Sequence, residues 1–349
     1  MNNGNERRSR KRRQSGKRYR IRYDRVIAAA LVLIVMIVVL GSCMKSCSKG
    51  KKSSSDSSAS SSSNQAQSSI EDNLQSSGDT SSVLPPGTGG NAVPDIQFTN
   101  DNLEYEAVFR GDLVLVNATA QYRFVEGDIN PVSISSNSNP DHYIAKDLVT
   151  TLDAKALEKL NGLMDGFYAA KYNNNIVIIE GYRTLEVQND KYLSGNTGLK
   201  GGFSDYHTGR SFDLAVFPKD GSSSGYYSPV GDYAWIDENA ANFGFILRYP
   251  EGKETLTGER ARTQTYRYVG TPHANYIKQN NLCLEEYIAL LKEHTKDKPL
   301  EISLNTTLYR VYYVPANTNG STSVPVPANK VYSVSGNNVD GFIVTVSMN

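Results

Sequence analysis

The sequence predicts an α+β domain with a mainly antiparallel central sheet, preceded by a membrane helix and followed by a small β appendage. Three observations carry this expectation. Short apolar runs such as Ile176–Ile179 and Phe245–Arg248 have the length of strands. Ahead of them lies a stretch whose apolar residues Leu157, Leu160, Met164 and Phe167 keep helical spacing. Beyond Lys298 the pattern changes to β-rich runs separated by turn residues.

The N-terminus differs sharply from the rest. Residues 1–25 hold eleven Lys and Arg against Glu6 and Asp24, a net +9, so the remainder of a chain of net charge +1 carries −8. The basic charge is therefore a tail, not a face of the folded part, and no nucleic-acid partner is expected. Residues 26–44 are uncharged and near the short end of what a helix needs to cross about 30 Å of hydrocarbon. The positive-inside rule keeps the basic tail in the cytoplasm and places the folded domain outside, as a single-pass membrane protein. Two alternatives share that outcome. Leu40-Gly41-Ser42-Cys43 reads as a lipobox, with cleavage and lipid attachment at Cys43, and a plain secretory signal is the other.

Residues 45–95 read as a disordered linker. Eleven of the seventeen residues from Ser53 to Ser69 are serine, a composition that cannot bury enough apolar surface to fold. As a flexible coil it reaches roughly 40 Å.

A first domain is expected over 96–297. Leu113–Asn117 is a strand candidate, and Asp153 caps the helix that carries Leu157 to Phe167. Ile176–Ile179 is a buried strand leading through Gly181-Tyr182-Arg183-Thr184 into a helix with Leu185, Gln188 and Tyr192. Strands follow at Asp213–Phe217, Phe245–Arg248 and Thr265–Val269, with a helix from about Tyr233 to Asn242 that stops at Gly244. Two more helices are expected near Pro272–Gln279 and Leu284–Glu293. The β appendage, 298–349, contains strands at Leu308–Val314, Tyr332–Val334 and Phe342–Val346, with a Pro-rich turn at Val324–Pro327. Three cysteines cannot make a disulfide framework, and Cys283, within Leu282-Cys283-Leu284, reads as a small buried hydrophobe.

Two segments carry the chemical information: Ser204-Asp205-Tyr206-His207-Thr208-Gly209-Arg210-Ser211-Phe212-Asp213 and Arg262-Thr263-Gln264-Thr265-Tyr266-Arg267-Tyr268-Val269-Gly270. They resemble the motifs of the VanY-type D-alanyl-D-alanine carboxypeptidases, which are zinc peptidases of the LAS class that trim peptidoglycan stem peptides. The similarity extends over roughly residues 100 to 295. In that family the first motif reads Ser-x-His-x-x-Gly-x-Ala-x-Asp and the second Glu-Pro-Trp-His-x-Arg-Tyr-Val-Gly. The resemblance implies an LAS-like fold. It also implies that the three metal-ligand positions fall on Tyr206, Asp213 and Thr265, and the general-base position on Arg262.

Only Asp213 keeps a family chemical group. A catalytic zinc needs three protein ligands and an open position for water, with a base nearby. A guanidinium can neither take a proton nor sit easily beside a divalent cation. Rewiring is the alternative: His207, Asp213 and His273 could converge as ligands, with Tyr206 as a phenolate. Against it, one step along an extended segment 204–208 would turn a side chain to the opposite face. His273, in Thr271-Pro272-His273, reads as a helix-start residue that packs locally. No cofactor is expected on the main reading, and zinc on the alternative.

The resemblance further implies that Arg183, Gln188 and Ser204 hold the terminal groups of a peptide, the arginine through paired hydrogen bonds to a carboxylate. The expected protein is thus a membrane-anchored, extracytoplasmic pseudoenzyme that binds peptidoglycan stem peptides or a cell-wall protein. An active zinc D,D-carboxypeptidase with relocated ligands is the rival, and a scaffold for a membrane partner is a third class.

Overall fold

The computed structural model describes residues 96–220 and 222–349. The basic tail, the candidate span at 26–44, Cys43 and the Ser-rich linker lie outside the described residues. Among the described residues no helix is long and apolar enough to cross a membrane.

In chain order the first elements are β1 (Phe98–Leu103), β2 (Pro131–Ser133), α1 (Ile134–Asn137), β3 (Ile144–Ala145), β4 (Thr151–Asp153), α2 (Ala154–Lys171), β5 (Ile176–Glu180) and α3 (Leu185–Leu193). Next come β6 (Ser211–Val216), β7 (Gly225–Tyr226), α4 (Ala234–Asn239), β8 (Phe245–Tyr249), α5 (Glu254–Thr257), β9 (Arg262–Tyr268), α6 (Thr271–Gln279) and α7 (Leu284–Leu291). The last five strands are β10 (Leu300–Leu304), β11 (Thr307–Pro315), β12 (Thr322–Pro327), β13 (Tyr332–Gly336) and β14 (Gly341–Ser347).

The central sheet runs β3-β5-β6-β9-β8, with β7 added at β6. Its pairs are antiparallel except β3 with β5, as the α+β expectation requires. Helix α2 lies against it. Asp153 starts that helix by accepting hydrogen bonds from the amides of Lys155 and Ala156, which satisfies two of the otherwise unpaired N–H groups of the first turn. Leu157, Leu160, Leu163, Met164 and Phe167 then form one buried stripe, packed in a cluster with Ile176, Ile178, Phe212, Leu214 and Tyr266 of the sheet. The helix ends at Tyr172, which adopts a left-handed conformation (φ 53°).

The strands after Lys298 form a four-stranded sheet of order β10-β11-β14-β13. Leu300, Ile302, Val311 and Ile343 join a cluster with Ile246, Ala274, Ile277, Leu284, Tyr287, Ile288 and Leu291. One face of this sheet thus closes over α6 and α7. Gly336 shows how tightly β13 sits: a Cβ there would lie 2.1 Å from the carbonyl oxygen of Val108, so a side chain would push the strand off.

Two sequence expectations are corrected. Val324–Pro327 is not a turn but part of β12, which pairs antiparallel with β1 from Phe98↔Pro327 to Leu103↔Thr322. Proline is admissible there because this two-stranded ribbon leaves edge positions that need no donor. Leu113–Asn117 is buried but is not a strand. Its backbone polar groups are captured largely by side chains instead. The carbonyls of Val114 and Val116 accept from Arg267 and Arg248, the carbonyl of Leu115 accepts from Asn338, and the amide of Leu113 donates to Ser335 Oγ.

Candidate functional site

The ladders bring the key residues together. Asp213 on β6 stands opposite Thr265 on β9, and Tyr249 on β8 stands opposite Arg262 on β9. Residues Asp205–Thr208 form a 3-10 turn rather than the extended segment expected from sequence. With about three residues per turn, neighbouring side chains diverge around an axis instead of alternating between two faces. Gly209 ends the turn at φ 65°, a backbone conformation that glycine takes without steric cost. Tyr206 is thereby aimed at Asp213, and His207 away from it.

Tyr206 and Thr265 both donate to the same oxygen of Asp213, at 2.5 and 2.8 Å. All three residues are buried. Burial, joined by the neighbouring Asp213 carboxylate, holds the Tyr206 phenol well above its ordinary pKa, so it stays protonated and serves as a donor. Burial likewise raises the Asp213 carboxyl, against the two hydroxyl hydrogen bonds and the charges of Arg262 and Arg183. The three residues expected from the resemblance to occupy metal positions are thus closed on one another by hydrogen bonds. A set of one carboxylate and two protonated hydroxyls beside a guanidinium does not fit a tetrahedral divalent cation.

The rewired set does not converge. His207 uses both ring nitrogens: Nδ1 lies 2.6 Å from the Arg183 carbonyl, which can only accept, and Nε2 takes the Gly202 amide at 2.9 Å. Phe124 packs on its ring edge to face. His273 is also fully engaged, with Nδ1 at 2.7 Å from Tyr287 Oη and Nε2 at 3.1 Å from Thr345 Oγ1. Its helix begins at Thr271 with Gly270 as the cap, one residue earlier than a start at Pro272 would give. Among the described residues no three His, Cys, Asp or Glu side chains come together in a group that could hold a metal ion.

Burial pushes the His273 imidazole down to about 4. Its folded pKa therefore lies below the ordinary unfolded value of about 6.5. The unfolded chain binds the extra proton between those values, so the stability held above about pH 6.5 is lost as pH falls towards 4. His273→Gln should flatten that part of the profile, removing up to about 3 kcal/mol of the pH-dependent loss. Thermal unfolding of the two proteins from pH 7 to pH 4 measures it. Parallel curves would contradict the assignment.

A cleft of about 480 Å³ opens beside Tyr206, lined by Arg183, Ser204, Tyr249, Glu259, Arg260 and Arg262 together with the loop 195–199. Arg183 lies over the Tyr206 ring at 3.8 Å. Its guanidinium donates to Glu180 at 3.1 Å and to Gln188 Oε1 at 2.9 Å. Gln188 is fully buried and turns its amide nitrogen to the Leu199 carbonyl at 2.7 Å. It therefore positions Arg183 and the cleft loop, and does not itself line the cleft. Ser204 is buried at the cleft wall. Arg262 lies over the Tyr249 ring at 4.3 Å and pairs with Glu259 at 3.2 Å.

Sequence reasoning missed the support beneath this cleft. Asp205 is fully buried, 2.6 Å from Arg267 and 3.1 Å from Arg248, and also accepts from Ser211. Burial alone would raise its carboxyl, but Arg267 and Arg248 together hold it below the usual carboxylate range. Arg248 continues to Glu285 at 2.8 Å. The available signal was an arginine inside the apolar strand Phe245–Tyr249, since a charge in such a run requires a buried partner.

Comparisons with known proteins agree with this architecture. Residues 149–271 match VanY, described as D-alanyl-D-alanine carboxypeptidase. A D-alanyl-D-alanine carboxypeptidase of Enterococcus faecium is 34% identical over 254 residues, covering 69% of this chain and 77% of that protein. The bifunctional D-Ala-D-Ala dipeptidase and D-Ala-D-Ala carboxypeptidase VanXYC of Enterococcus gallinarum is 32% identical over 133 residues, 34% of this chain and 69% of its own. Among solved structures, the vancomycin resistance D,D-dipeptidase VanXYg, in complex with a D-Ala-D-Ala phosphinate analog, superposes with a TM-score of 0.62 at 28% identity. That match covers 72% of this chain and 99% of VanXYg. By its fold and by this extent of similarity, the chain belongs to the VanY-type D-alanyl-D-alanine carboxypeptidase family.

Proposed function

We propose that this protein binds peptidoglycan stem peptides ending in D-alanine without hydrolysing them, as a pseudoenzyme of its family. The observation that carries the reading is the closed Tyr206–Asp213–Thr265 cluster, which spends on itself the groups a metal would need. Arg262 at the general-base position supports it, because a guanidinium cannot accept the proton of an attacking water. The cleft wall of Ser204, Arg260 and Arg262, backed by Arg183 and Gln188, supplies donors for a peptide terminus. The uncharged run at 26–44, or lipid attachment at Cys43, would hold the domain on the outer face of the cell membrane, and the linker would let it search the nearby wall.

The relatives named as carboxypeptidases favour a second reading, an active zinc enzyme. One preparation separates the two. Purified protein is expected to carry no stoichiometric zinc, to release no D-alanine from a pentapeptide ending in D-Ala-D-Ala, and to give a binding isotherm with that peptide. One zinc per chain together with D-alanine release would establish the enzyme instead, and a flat isotherm would remove the ligand.

A further inference from the structure

We infer that Arg262, rather than Arg183, is the anchor for the ligand's anionic group. This deepens the peptide-binding reading and rests on it. The argument is a count of donors. Arg183 is committed: Nε and one Nη face Glu180 at 3.1 Å, the other Nη faces Gln188 at 2.9 Å, and the group sits 3.8 Å above the centre of the Tyr206 ring. Glu180 is in turn gripped by Lys191 at 2.8 Å, so that pair is locked on the protein side of the wall.

Arg262 is under-satisfied. Among the described residues only Glu259 accepts from it, through a single Nη at 3.2 Å, and its buried Nε has no hydrogen-bond partner. A guanidinium presents two adjacent N–H groups in a fork that matches a carboxylate, and here an edge of that fork is unused. Stacking on Tyr249 at 4.3 Å fixes the plane of the fork. The rim adds the exposed Arg260, so the cleft lining holds three guanidiniums against the one carboxylate of Glu259. A charged donor left without acceptors inside a partly closed cleft is costly unless a ligand supplies them. The chemistry that supplies them is a carboxylate, such as the terminus of a D-alanine-ended peptide.

The test compares the free-acid and C-terminal amide forms of the same stem pentapeptide by calorimetry, with N-acetyl-D-alanine as a minimal carboxylate probe. The wild type should bind the acid about tenfold or more tighter than the amide. Arg262→Gln should erase that ratio, Arg262→Lys should restore part of it, and Arg183→Gln should keep it. The ratio is internal to each variant, so a reduced folded population scales both affinities alike. An acid preference that survives Arg262→Gln, or one lost in Arg183→Gln alone, overturns the assignment. If no pentapeptide binds but N-acetyl-D-alanine still binds in an Arg262-dependent way, the peptide reading falls and the anchor stands. Binding of neither probe removes both.

Discussion

Replacing Asp205 by alanine should lower the stability of the domain by about 3–5 kcal/mol, a larger loss than any exposed ion pair in the molecule could produce. The reason is what remains behind. Arg267 and Arg248 are fully buried, and both ion-pair with the Asp205 carboxylate. Without it, Arg267 keeps only the carbonyls of Tyr268, Asp112 and Val114, and Arg248 keeps Glu285 and the Val116 carbonyl. Two positive charges would then face each other in a medium that screens them poorly. The midpoint of thermal unfolding should fall by roughly 10 °C for a domain of this size. Asp205→Asn should fall short of rescue, since an amide keeps the shape but not the charge. A shift within 2 °C in calorimetry would show that the ion cluster is not what ties residues 112–116 to the sheet.

The second large effect is a gain. Changing Tyr206→His, Thr265→His and Arg262→Glu together should give a protein that retains about one zinc per chain, where the wild type is expected to retain none. Asp213 is already placed, opposite Thr265 in the ladder and 2.5 Å from the Tyr206 hydroxyl, so all three ligand positions converge on one point. Two of the three changes should not suffice: a single imidazole beside Asp213 leaves too few ligands, and Arg262 would still repel the cation. His207 must be left alone. Its two ring nitrogens hold the Arg183 carbonyl and the Gly202 amide, and removing them would cost about 1–3 kcal/mol through orphaned buried groups. Elemental analysis after dialysis is the readout, with D-alanine release as the second. A metal-free triple variant that melts like the wild type would mean that the cluster geometry, not the side-chain types, bars the ion.

Much of the fold was legible because it rests on local signals. The cap at Asp153, the stripe from Leu157 to Phe167 and the strand at Ile176–Ile179 each declare themselves within a few residues, and the structure keeps all three. The motif spacing suggested that Asp213, Thr265 and Arg262 meet, and the ladder pairs bring them to one end of one sheet. What escaped was decided by distant partners. Leu113–Val116 has a strand's composition, but its carbonyls are claimed by guanidiniums more than a hundred residues away. Val324–Pro327 has a turn's composition, yet it is paired by a strand from the other end of the fold. Gln188 looked like a ligand contact because its spacing from Arg183 is right, and that same spacing lets it brace Arg183 from behind.

The pairing of β1 with β12 also sets a timetable for the newly made chain. Phe98–Leu103 is made well before the strand that completes it, and Tyr332 reaches back to Asp101 across 231 positions. Contacts of such separation close late, because the loop entropy must be overcome before they contribute. Until then β1 carries an unpaired edge, which invites association with other chains. The ribbon of β1 and β12 is therefore the last part of the described fold to lock.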